Sequence, residues 1–307
     1  MEDHRPTGSS FAGYRLDRLL GRGGMGTVYR ATQAESGRIV ALKLLRVELT
    51  SDVGFSARFR REARLSAELR HPHVVPLVDA GESEGTLYLA MDYIDGVDLA
   101  HVIAFGGALH PRVIAAIVAQ LGAALDSAAK LGLVHRDVKP ANVLIESRGG
   151  GPYAYLTDFG VSKHVSSQSG ITAAGVWVGS IDYASPEQLQ SQPVDARTDV
   201  YALGCLLYEG LTGQVPFPRT REVDKMTAHL AEAPPNPSLA RPEIPVRFDA
   251  VVAAALSKLP QDRFATAGAL AQAALAAAED AGPAPSLPLA LHVRPAQPID
   301  RDAPTVA

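Results

Sequence analysis

One short segment, residues 135–142, carries four side chains that can do chemistry. It reads His-Arg-Asp-Val-Lys-Pro-Ala-Asn. Asp137 can accept or orient a hydroxyl proton, and Asn142 can hold a divalent cation through its amide oxygen. Lys139 is placed to meet a phosphate, and Arg136 can bind a neighbouring anion. The segment therefore predicts a place where a hydroxyl, a cation and a phosphate meet.

A second carboxylate, Asp158, follows in the run Asp158-Phe159-Gly160. With the amide of Asn142 it offers oxygen ligands, which suit Mg²⁺ or Mn²⁺ far better than thiophilic metals. Alternatively, an aspartate in a loop can have only a structural role, as the cap of a turn. That alternative is open for either Asp137 or Asp158 alone, but it is improbable for both together.

Upstream, glycines recur in the run Gly21-Arg22-Gly23-Gly24-Met25-Gly26. Without side chains, the backbone there could come close to phosphates. Alone, such a run is more often a turn or a linker. Its position between two strand-like stretches favours a loop that covers phosphates. It is neither a Walker loop, because no Gly-Lys-Ser/Thr follows, nor a Rossmann fingerprint, because no helix begins there.

Lys43 ends the apolar run Val40-Ala41-Leu42-Lys43, where an unpaired ammonium group would be costly. Removing one partner of a buried pair typically costs about 3–5 kcal/mol, so a carboxylate should meet Lys43. We predict that this partner is Glu62, with Glu48 and Glu68 as competitors. A surface lysine and a solvated helix face are the alternative interpretation.

Two kinds of element must position these groups. Residues 55–69 have apolar positions at helical spacing among many charges, which predicts an amphipathic helix that ends at His71-Pro72. Alternating apolar residues predict strands at 14–20, 27–31, 39–45, 74–78 and 87–91. After Pro111 we predict helices at 113–131, 198–211, 222–231, 247–259 and 266–278, and a hairpin of residues 143–145 and 153–156. A β-rich lobe followed by a helical lobe is an α+β architecture with a cleft between the two.

The composition is that of an ordinary globular protein, with 307 residues, 47% hydrophobic, 20% charged and a formal net charge of −4. Nothing in it indicates a polybasic surface for nucleic acid or acidic lipid. The single cysteine, Cys205, excludes an intrachain disulfide and suits a reducing cytoplasm, and its apolar surroundings predict a buried core residue.

Both ends of the chain differ in composition from the middle. Residues 1–10 are polar and contain no apolar segment of a signal peptide, and we expect them to be a disordered N-terminus. No uninterrupted apolar stretch approaches the ~20 residues of a membrane span. Residues 281–307 are rich in Pro and Ala, which predicts a disordered tail. We therefore expect a cytoplasmic protein with no membrane span in this chain and no nucleic-acid partner.

In this order, the glycine run, the Lys43 strand, the His-Arg-Asp loop and Asp-Phe-Gly resemble the signature set of protein kinases. The chain looks most like bacterial Hanks-type serine/threonine kinases of the PknB-like actinobacterial group, over about residues 11–280. The resemblance implies a bilobal fold. A small antiparallel sheet with one long helix would form the N-lobe, about 11–92, and helices would form most of the C-lobe, about 93–280.

The resemblance also implies roles at the reaction centre. Lys43 would contact the α- and β-phosphates of ATP while Glu62 holds it there. Asp137 would orient the attacking hydroxyl, with Lys139 beside it. Asn142 and Asp158 would hold Mg²⁺, with Mn²⁺ as a possible substitute. His135 would pack against Phe159 as a structural residue.

For the nucleotide, the resemblance implies that Met91 is the gatekeeper and that the backbones of Asp92 and Ile94 meet adenine. Asp98 would bind the ribose. The apolar residues above and below the base would be Val28, Ala41 and Leu144, and the loop over the phosphates would be Gly21, Arg22, Gly23, Gly24, Met25 and Gly26.

Further residues would support the site. Glu187 is expected to pair with Arg263, and Asp199 to hydrogen-bond the catalytic loop. Between Asp158 and Glu187, Thr172 is our preferred autophosphorylation site and Ser169 the second, with a merely flexible polar loop as the alternative. The hydroxyl of Ser180 would bridge Asp137 and Lys139, as the threonine usually found there does.

The resemblance implies an active Mg-ATP-dependent kinase acting on protein Ser/Thr hydroxyls, with transient homodimers possible for trans-phosphorylation. A pseudokinase scaffold is the alternative, although the lysine and both aspartates that such proteins usually lose are present. A small-molecule phosphotransferase is disfavoured by Lys139 and by Ser185-Pro186-Glu187.

Overall fold

The computed structural model describes residues 5–23, 26–46, 53–148, 151–159 and 180–283. Its first lobe is built on an antiparallel sheet. The strands are β1 (Ser10–Phe11), β2 (Tyr14–Gly23), β3 (Gly26–Gln33), β4 (Ile39–Leu45), β5 (Leu77–Ser83) and β6 (Thr86–Asp92). They pair in the order β1-β2-β3-β4-β6-β5. In this register Lys43 lies opposite Val28 on one side and Leu89 on the other.

One long helix, α1 (Val53–Glu68), packs on this sheet. Phe55, Phe59 and Ala63 recur every four residues, so they share one side of the helix. All three are buried. They form one apolar cluster with three leucines of the sheet, Leu45, Leu87 and Leu89. This packing sets the distance between α1 and the strand that carries Lys43.

The second lobe is mainly helical. Its helices are α2 (Leu99–Gly106), α3 (Pro111–Lys130), α4 (Pro186–Leu189), α5 (Ala196–Thr212), α6 (Glu222–Ala231), α7 (Pro237–Ala240), α8 (Arg247–Ala255) and α9 (Ala267–Ala278). A small sheet of β7 (Val97–Asp98), β8 (Val143–Arg148) and β9 (Gly151–Leu156) completes it. The two lobes together confirm the α+β kinase fold that the motifs implied.

The core helices of this lobe approach one another closely. A Cβ atom added at Gly122 of α3 would lie 2.8 Å from the carbonyl oxygen of Ala267, at the start of α9. The carboxylate of Asp126 accepts the N–H groups of Ala267 at 3.0 Å and Gly268 at 3.1 Å. These groups are otherwise unsatisfied at a helix N-terminus, so Asp126 caps α9.

Backbone hydrogen bonds join the lobes behind the cleft. Val75 N–H donates to the Leu156 carbonyl, and Leu156 N–H donates to the His73 carbonyl, both at 2.9 Å. These bonds explain why the strand expected at 74–78 begins only at Leu77. The backbone of Val74 and Val75 pairs with β9 of the other lobe instead of with β6.

Other boundaries also differ from the sequence prediction. Helix α2 was missed; it is short, follows the Asp98 cap and ends at Gly106, and the next residue, Gly107, has a φ of 73°. Helix α8 ends at Ala255, before the 3₁₀ turn Pro260–Asp262, where we expected it to reach residue 259. The described residues before 11 are attached to the N-lobe: Arg5 pairs with Glu84 at 2.8 Å.

Among the described helices, α3 alone has the length and apolar composition to cross a membrane. In its most apolar window 56% of the residues are buried inside the protein. That burial is typical of a core helix, which fits its position beside α5 and α9.

Candidate active site

The catalytic loop brings three of the predicted side chains into contact. Asn142 closes a 3₁₀ turn, Pro140–Asn142, and its Nδ2 donates to the carbonyl and to Oδ2 of Asp137, at 2.8 and 3.0 Å. The Nζ of Lys139 lies 2.9 Å from the same Oδ2. The Asp137 carboxylate is therefore held between an amide and an ammonium group.

Lys43 reaches across the cleft to Asp158, and not to Glu62 as predicted. Its Nζ lies 2.8 Å from Oδ1 of Asp158, and the Lys43 side chain is 9% exposed. Within the described part of the chain, this is the ion pair of Lys43. Glu62 lies on the facing helix α1, half-buried. Burial required a carboxylate here, and Asp158 supplies it from the other lobe.

Oxygen atoms at this site fit a hard divalent cation. Because Nδ2 of Asn142 is committed to Asp137, its Oδ1 remains as a possible ligand. One carboxylate oxygen of Asp158 pairs with Lys43, and the second oxygen remains as a possible metal ligand. An amide and a carboxylate oxygen are ligands that Mg²⁺ accepts, usually with waters and substrate phosphates completing the shell. Asn142 and Asp158 could therefore hold the metal, as the resemblance implied.

His135 fixes the loop from below and is fully buried. Its ring lies 4.6 Å from that of Phe159, edge to face. Nε2 bonds the Thr157 carbonyl at 2.9 Å, and Nδ1 accepts the N–H of Asp137 at 3.2 Å. A carbonyl can only accept, so Nε2 carries the ring proton. The predicted packing of His135 on Phe159 is present, and the residue is structural.

Asp199 of α5 holds the same loop from the side. Its carboxylate accepts the backbone N–H of His135 at 2.7 Å and of Arg136 at 2.8 Å, as the resemblance implied. Burial raises the pKa of Asp199, and the two backbone N–H groups and the charge of Arg136 partly offset that rise.

Two non-glycine residues of the site have left-handed backbone conformations. Arg136 has φ 64° and Asp158 has φ 62°. Such residues cost about 1–3 kcal/mol each and persist only where the surroundings hold them. Arg136 adjoins Asp137, which is expected to act on the substrate, and Asp158 is itself expected to hold the metal. Burial lowers the pKa of Arg136, while the charge of Asp199 opposes that shift.

Beneath the loop, Glu187 and Arg263 form a buried pair. Nη1 and Nη2 of Arg263 each donate to one oxygen of Glu187 at 2.8 Å, and the side chains are 0% and 3% exposed. Thr198 donates to Glu187 at 2.7 Å. Burial alone would raise the pKa of Glu187, but the bonds and charge of Arg263 outweigh it, so the pKa is lowered.

The residues expected around adenine lie along the cleft. Val28 and Ala41 on the sheet and Leu144 on β8 are half-buried. Leu144 and Ile94 pack against the cluster that contains Met91. A small pocket, partly open to solvent, lies beside Met91. Its lining residues are Lys43, Ser66, Val74, Val75, Leu77, Leu89, Met91, Asp158 and Phe159.

The two acidic residues expected to bind the nucleoside already have hydrogen-bond partners. Asp92 accepts from Arg38, at 2.6 Å from Nη2 and 3.1 Å from Nε. Asp98 caps α2 by accepting the N–H of His101 at 2.8 Å. The expected roles of the Asp92 backbone and the Asp98 carboxylate toward a nucleoside stay predictions.

In the glycine run, Gly21, Arg22 and Gly23 end β2, and Gly24 and Met25 lie outside the described residues. An added Cβ would meet nothing within 4 Å at Gly21 or Gly23, but at Gly26 it would lie 2.0 Å from the Leu44 carbonyl oxygen. The absence of a side chain at Gly26 therefore permits close pairing with β4. At Gly21 and Gly23 there is room for a side chain, so packing does not require glycine there.

Thr172 and Ser169, the proposed phosphorylation sites, also lie outside the described residues. Ser180 lies inside them, but its hydroxyl donates to Asp182 at 3.4 Å, where we expected it between Asp137 and Lys139. Asp182 in turn pairs with Lys225 of α6 at 2.7 Å. That ion pair holds residues 180–182 against α6.

The sequence interpretation missed Gln188, whose side chain contacts the catalytic loop. Its Nε2 donates to the Arg136 carbonyl at 3.0 Å. A signal was available: Ser185 and Gln188 have the spacing of a capping box, and the structure forms one. The capping box predicts only the local helix start, however, and not the contact with Arg136.

Comparison with known proteins agrees with this geometry. The sequence matches the family model of the protein kinase domain over residues 14–274. This chain belongs to the protein kinase domain family. It is 47% identical over 270 residues to the serine/threonine-protein kinase PknE of Mycobacterium bovis, and 44% identical over 273 residues to PknH of Mycobacterium tuberculosis. These alignments cover 88% and 89% of this chain.

Among solved structures, the PknI kinase domain of Mycobacterium tuberculosis matches with a TM-score of 0.74 and 36% identity. The match covers 90% of this chain and 100% of that one. The chain spans only 47% of the length of PknE and 43% of the length of PknH. Its likeness to those two proteins therefore concerns less than half of each.

Proposed function

We propose that this chain is an active protein serine/threonine kinase domain that transfers the γ-phosphoryl group of ATP to hydroxyls of protein substrates. One observation carries the proposal. Lys43 and Asp158 are in contact across the cleft, and Asp137, Lys139 and Asn142 are in contact within one loop. A scaffold without chemistry would not require this set of charged groups.

The chemistry asks the protein mainly for position and charge. Phosphoryl transfer needs in-line alignment and neutralisation of the phosphate oxygens rather than covalent help. Asp137 would orient the substrate hydroxyl and accept its proton, while Lys139 would offset the negative charge beside it. Bound Mg²⁺ would neutralise phosphate charge, and Asn142 and Asp158 are the residues that would hold it.

Lys139, within Asp137-Val138-Lys139-Pro140, supports the choice of serine and threonine over tyrosine as the acceptor, by resemblance. Arg136 beside Asp137 supports activation by phosphate on the segment that contains Thr172 and Ser169, since such an arginine can pair with phosphate. The proposal has two further parts. One molecule phosphorylates another within a transient homodimer, and the protein acts in the cytoplasm, where ATP is available.

Labelled ATP with Mg²⁺ and a generic protein substrate tests the proposal. We expect transfer by the parent chain, and a loss of at least about 100-fold in Lys43→Met and Asp137→Asn, because each removes a positioned charge at the reacting phosphate. Mass spectrometry after ATP incubation would find phosphate on Thr172 first and on Ser169 second.

A Glu82→Gln variant is the control, because among the described residues the Glu82 side chain forms an exposed ion pair with Arg60 on the N-lobe surface. It should transfer phosphate at the parent rate. Equal transfer by the parent and Asp137→Asn would refute the proposal. Binding of ATP without any transfer by the parent would favour the pseudokinase alternative.

A further inference from the structure

The peptide bond between Arg136 and Asp137 is hydrogen-bonded on both sides. Its N–H, on Asp137, donates to Nδ1 of His135 at 3.2 Å. Its carbonyl, on Arg136, accepts from Nε2 of Gln188 at 3.0 Å. This peptide plane leads directly into the Cα of Asp137, so its orientation sets where the Asp137 carboxylate can lie. The left-handed φ of Arg136, 64°, means that the plane needs such support.

Gln188 can act as a fixed donor because its amide oxygen is already committed. Oε1 accepts the N–H of Ser185 at 3.1 Å and its hydroxyl at 3.2 Å. The amide of Gln188 therefore cannot rotate without breaking the cap of α4, and its NH₂ group points toward the Arg136 carbonyl. Gln188 thus links the start of α4 to the catalytic loop.

The helix that carries Gln188 is itself anchored. The carboxylate of the preceding residue, Glu187, accepts hydrogen bonds from Nη1 and Nη2 of Arg263 and from the Thr198 hydroxyl, in a buried cluster. Helix α4 has only four residues, Pro186–Leu189, so this anchor fixes the whole helix. Glu187 holds α4 to the base of the lobe, and Gln188 connects that base to the Asp137 peptide.

We propose that Gln188 is a positioning residue for Asp137, which acts through the Arg136 carbonyl and is needed for the rate of transfer but not for nucleotide binding. The inference rests on the proposed kinase function and extends it to a residue outside the cleft. It also assigns the short α4 helix a part in catalysis, because movement of α4 would tilt the Arg136–Asp137 peptide.

Gln188→Glu separates the two tasks of the side chain. A glutamate keeps acceptor oxygens for Ser185, so the capping box survives. It has no N–H for the Arg136 carbonyl, and its charge repels that oxygen. We expect kcat to fall about tenfold, the effect of one lost hydrogen bond, with the KM for ATP unchanged and the melting temperature lowered by no more than a few degrees.

The pH profile provides a readout that a purely structural role would not change. A protonated carboxyl group again has an O–H that can donate to the carbonyl. The ratio of variant to parent kcat should therefore rise as the pH falls from about 8 to about 5, toward the range where glutamate titrates. The control is Gln190→Glu, which introduces the same charge at an exposed side chain, and its ratio to the parent should stay near one.

Hydrogen exchange at the Asp137 amide supplies a second readout that needs no activity. We expect this amide to exchange faster in Gln188→Glu than in the parent or in Gln190→Glu. If the parent transfers no phosphate, the kinase proposal fails, and the exchange rate alone decides the role of Gln188. Unchanged exchange, or a lowered kcat that does not recover at low pH, would overturn the inference.

Discussion

Lys43 and Asp158 form an ion pair across the cleft, with Nζ 2.8 Å from Oδ1. One member lies on a strand of the N-lobe and the other at the end of the C-lobe hairpin. The pair therefore ties the lobes together at the point where phosphate and metal are expected to bind. A nucleotide with its metal would have to share both side chains.

The two members of this pair should contribute unequally to stability. Lys43 is 9% exposed and Asp158 is 26% exposed, so an orphaned ammonium is harder to solvate than an orphaned carboxylate. We expect Asp158→Asn to lower the free energy of unfolding by about 2 kcal/mol, and Lys43→Met by less. Urea denaturation measures both.

The double variant of Lys43→Met and Asp158→Asn checks the cause. It should be at least as stable as Lys43→Met alone, since neither charge of the pair is then left unpaired. Additive losses would mean that the pair is not what Asp158→Asn breaks. Glu82→Gln, at an exposed pair, should change stability by no more than about 0.5 kcal/mol.

Arg263→Lys should destabilise the C-lobe strongly although the charge is kept. Nε, Nη1 and Nη2 of Arg263 all donate, to Glu187 and to backbone carbonyls of Arg197, Ser257 and Lys258. An ammonium group cannot reproduce that planar fork, and the site is closed to water. We expect a loss of about 3 kcal/mol in chemical denaturation.

The matched control is Arg221→Lys. Arg221 also bonds a carboxylate with two nitrogens, that of Asp224, both at 2.7 Å, but its side chain is 77% exposed. Its replacement should leave stability within about 0.5 kcal/mol of the parent. Similar losses at the two sites would show that burial is not the decisive difference.

His229 should make the protein less stable in mild acid. It is 0% exposed, and burial lowers its pKa to about 4, with the charge of Lys258 acting in the same direction. The unfolded chain binds a proton near the ordinary value of 6.5, so it binds more protons than the folded chain between the two values. Stability should therefore fall as the pH drops from about 6.5 to about 4, by up to roughly 3 kcal/mol.

Unfolding midpoints of the parent and His229→Asn across this range test the assignment. Asparagine can keep a hydrogen bond to the Tyr201 hydroxyl, which lies 2.8 Å from Nδ1, and it does not titrate. The variant should lose less stability on acidification than the parent. His101→Asn, at a half-buried ring stacked on exposed Phe105, serves as the control. A parallel pH profile for His229→Asn would contradict the prediction.

Alanine at two glycines should separate folding from nucleotide contact. At Gly26 the new Cβ would overlap the Leu44 carbonyl at 2.0 Å, so we expect Gly26→Ala to cost about 2–3 kcal/mol of stability. Gly21→Ala meets nothing within 4 Å and should fold normally. If the run covers phosphates, Gly21→Ala should still raise the KM for ATP. A normal KM in a stable Gly21→Ala protein would remove that residue from the phosphate loop.

The sequence predicted most of what depends on local pattern. The strand with Lys43, the loop with Asp137 and Asn142, and the helix with Asp199 carry motifs whose residue types follow from their chemistry. Periodicity located the long helices because their buried faces repeat. Even the Glu187–Arg263 pair could be anticipated, since both residues belong to recognisable motifs.

What could not be predicted depends on the distance between the lobes. The sequence offered several carboxylates as candidate partners of Lys43. Only the packing of the two lobes selects Asp158 over Glu62. Val74 and Val75 look like strand residues, yet their hydrogen bonds go to the other lobe. The contact of Gln188 with Arg136 joins segments that no periodicity relates.

The packing of the end of α9 against α3 has a practical consequence. The alignment with the kinase family ends at residue 274, yet Ala274, Ala277 and Ala278 of α9 are buried, and so is Ala281 just beyond it. A polypeptide cut at residue 274 would lose the last turn of α9, the buried alanines beyond that residue and the carbonyls of Glu279 and Ala281 that accept hydrogen bonds from Arg112 of α3. Truncation of this protein for crystallography or screening should therefore stop after Ala281.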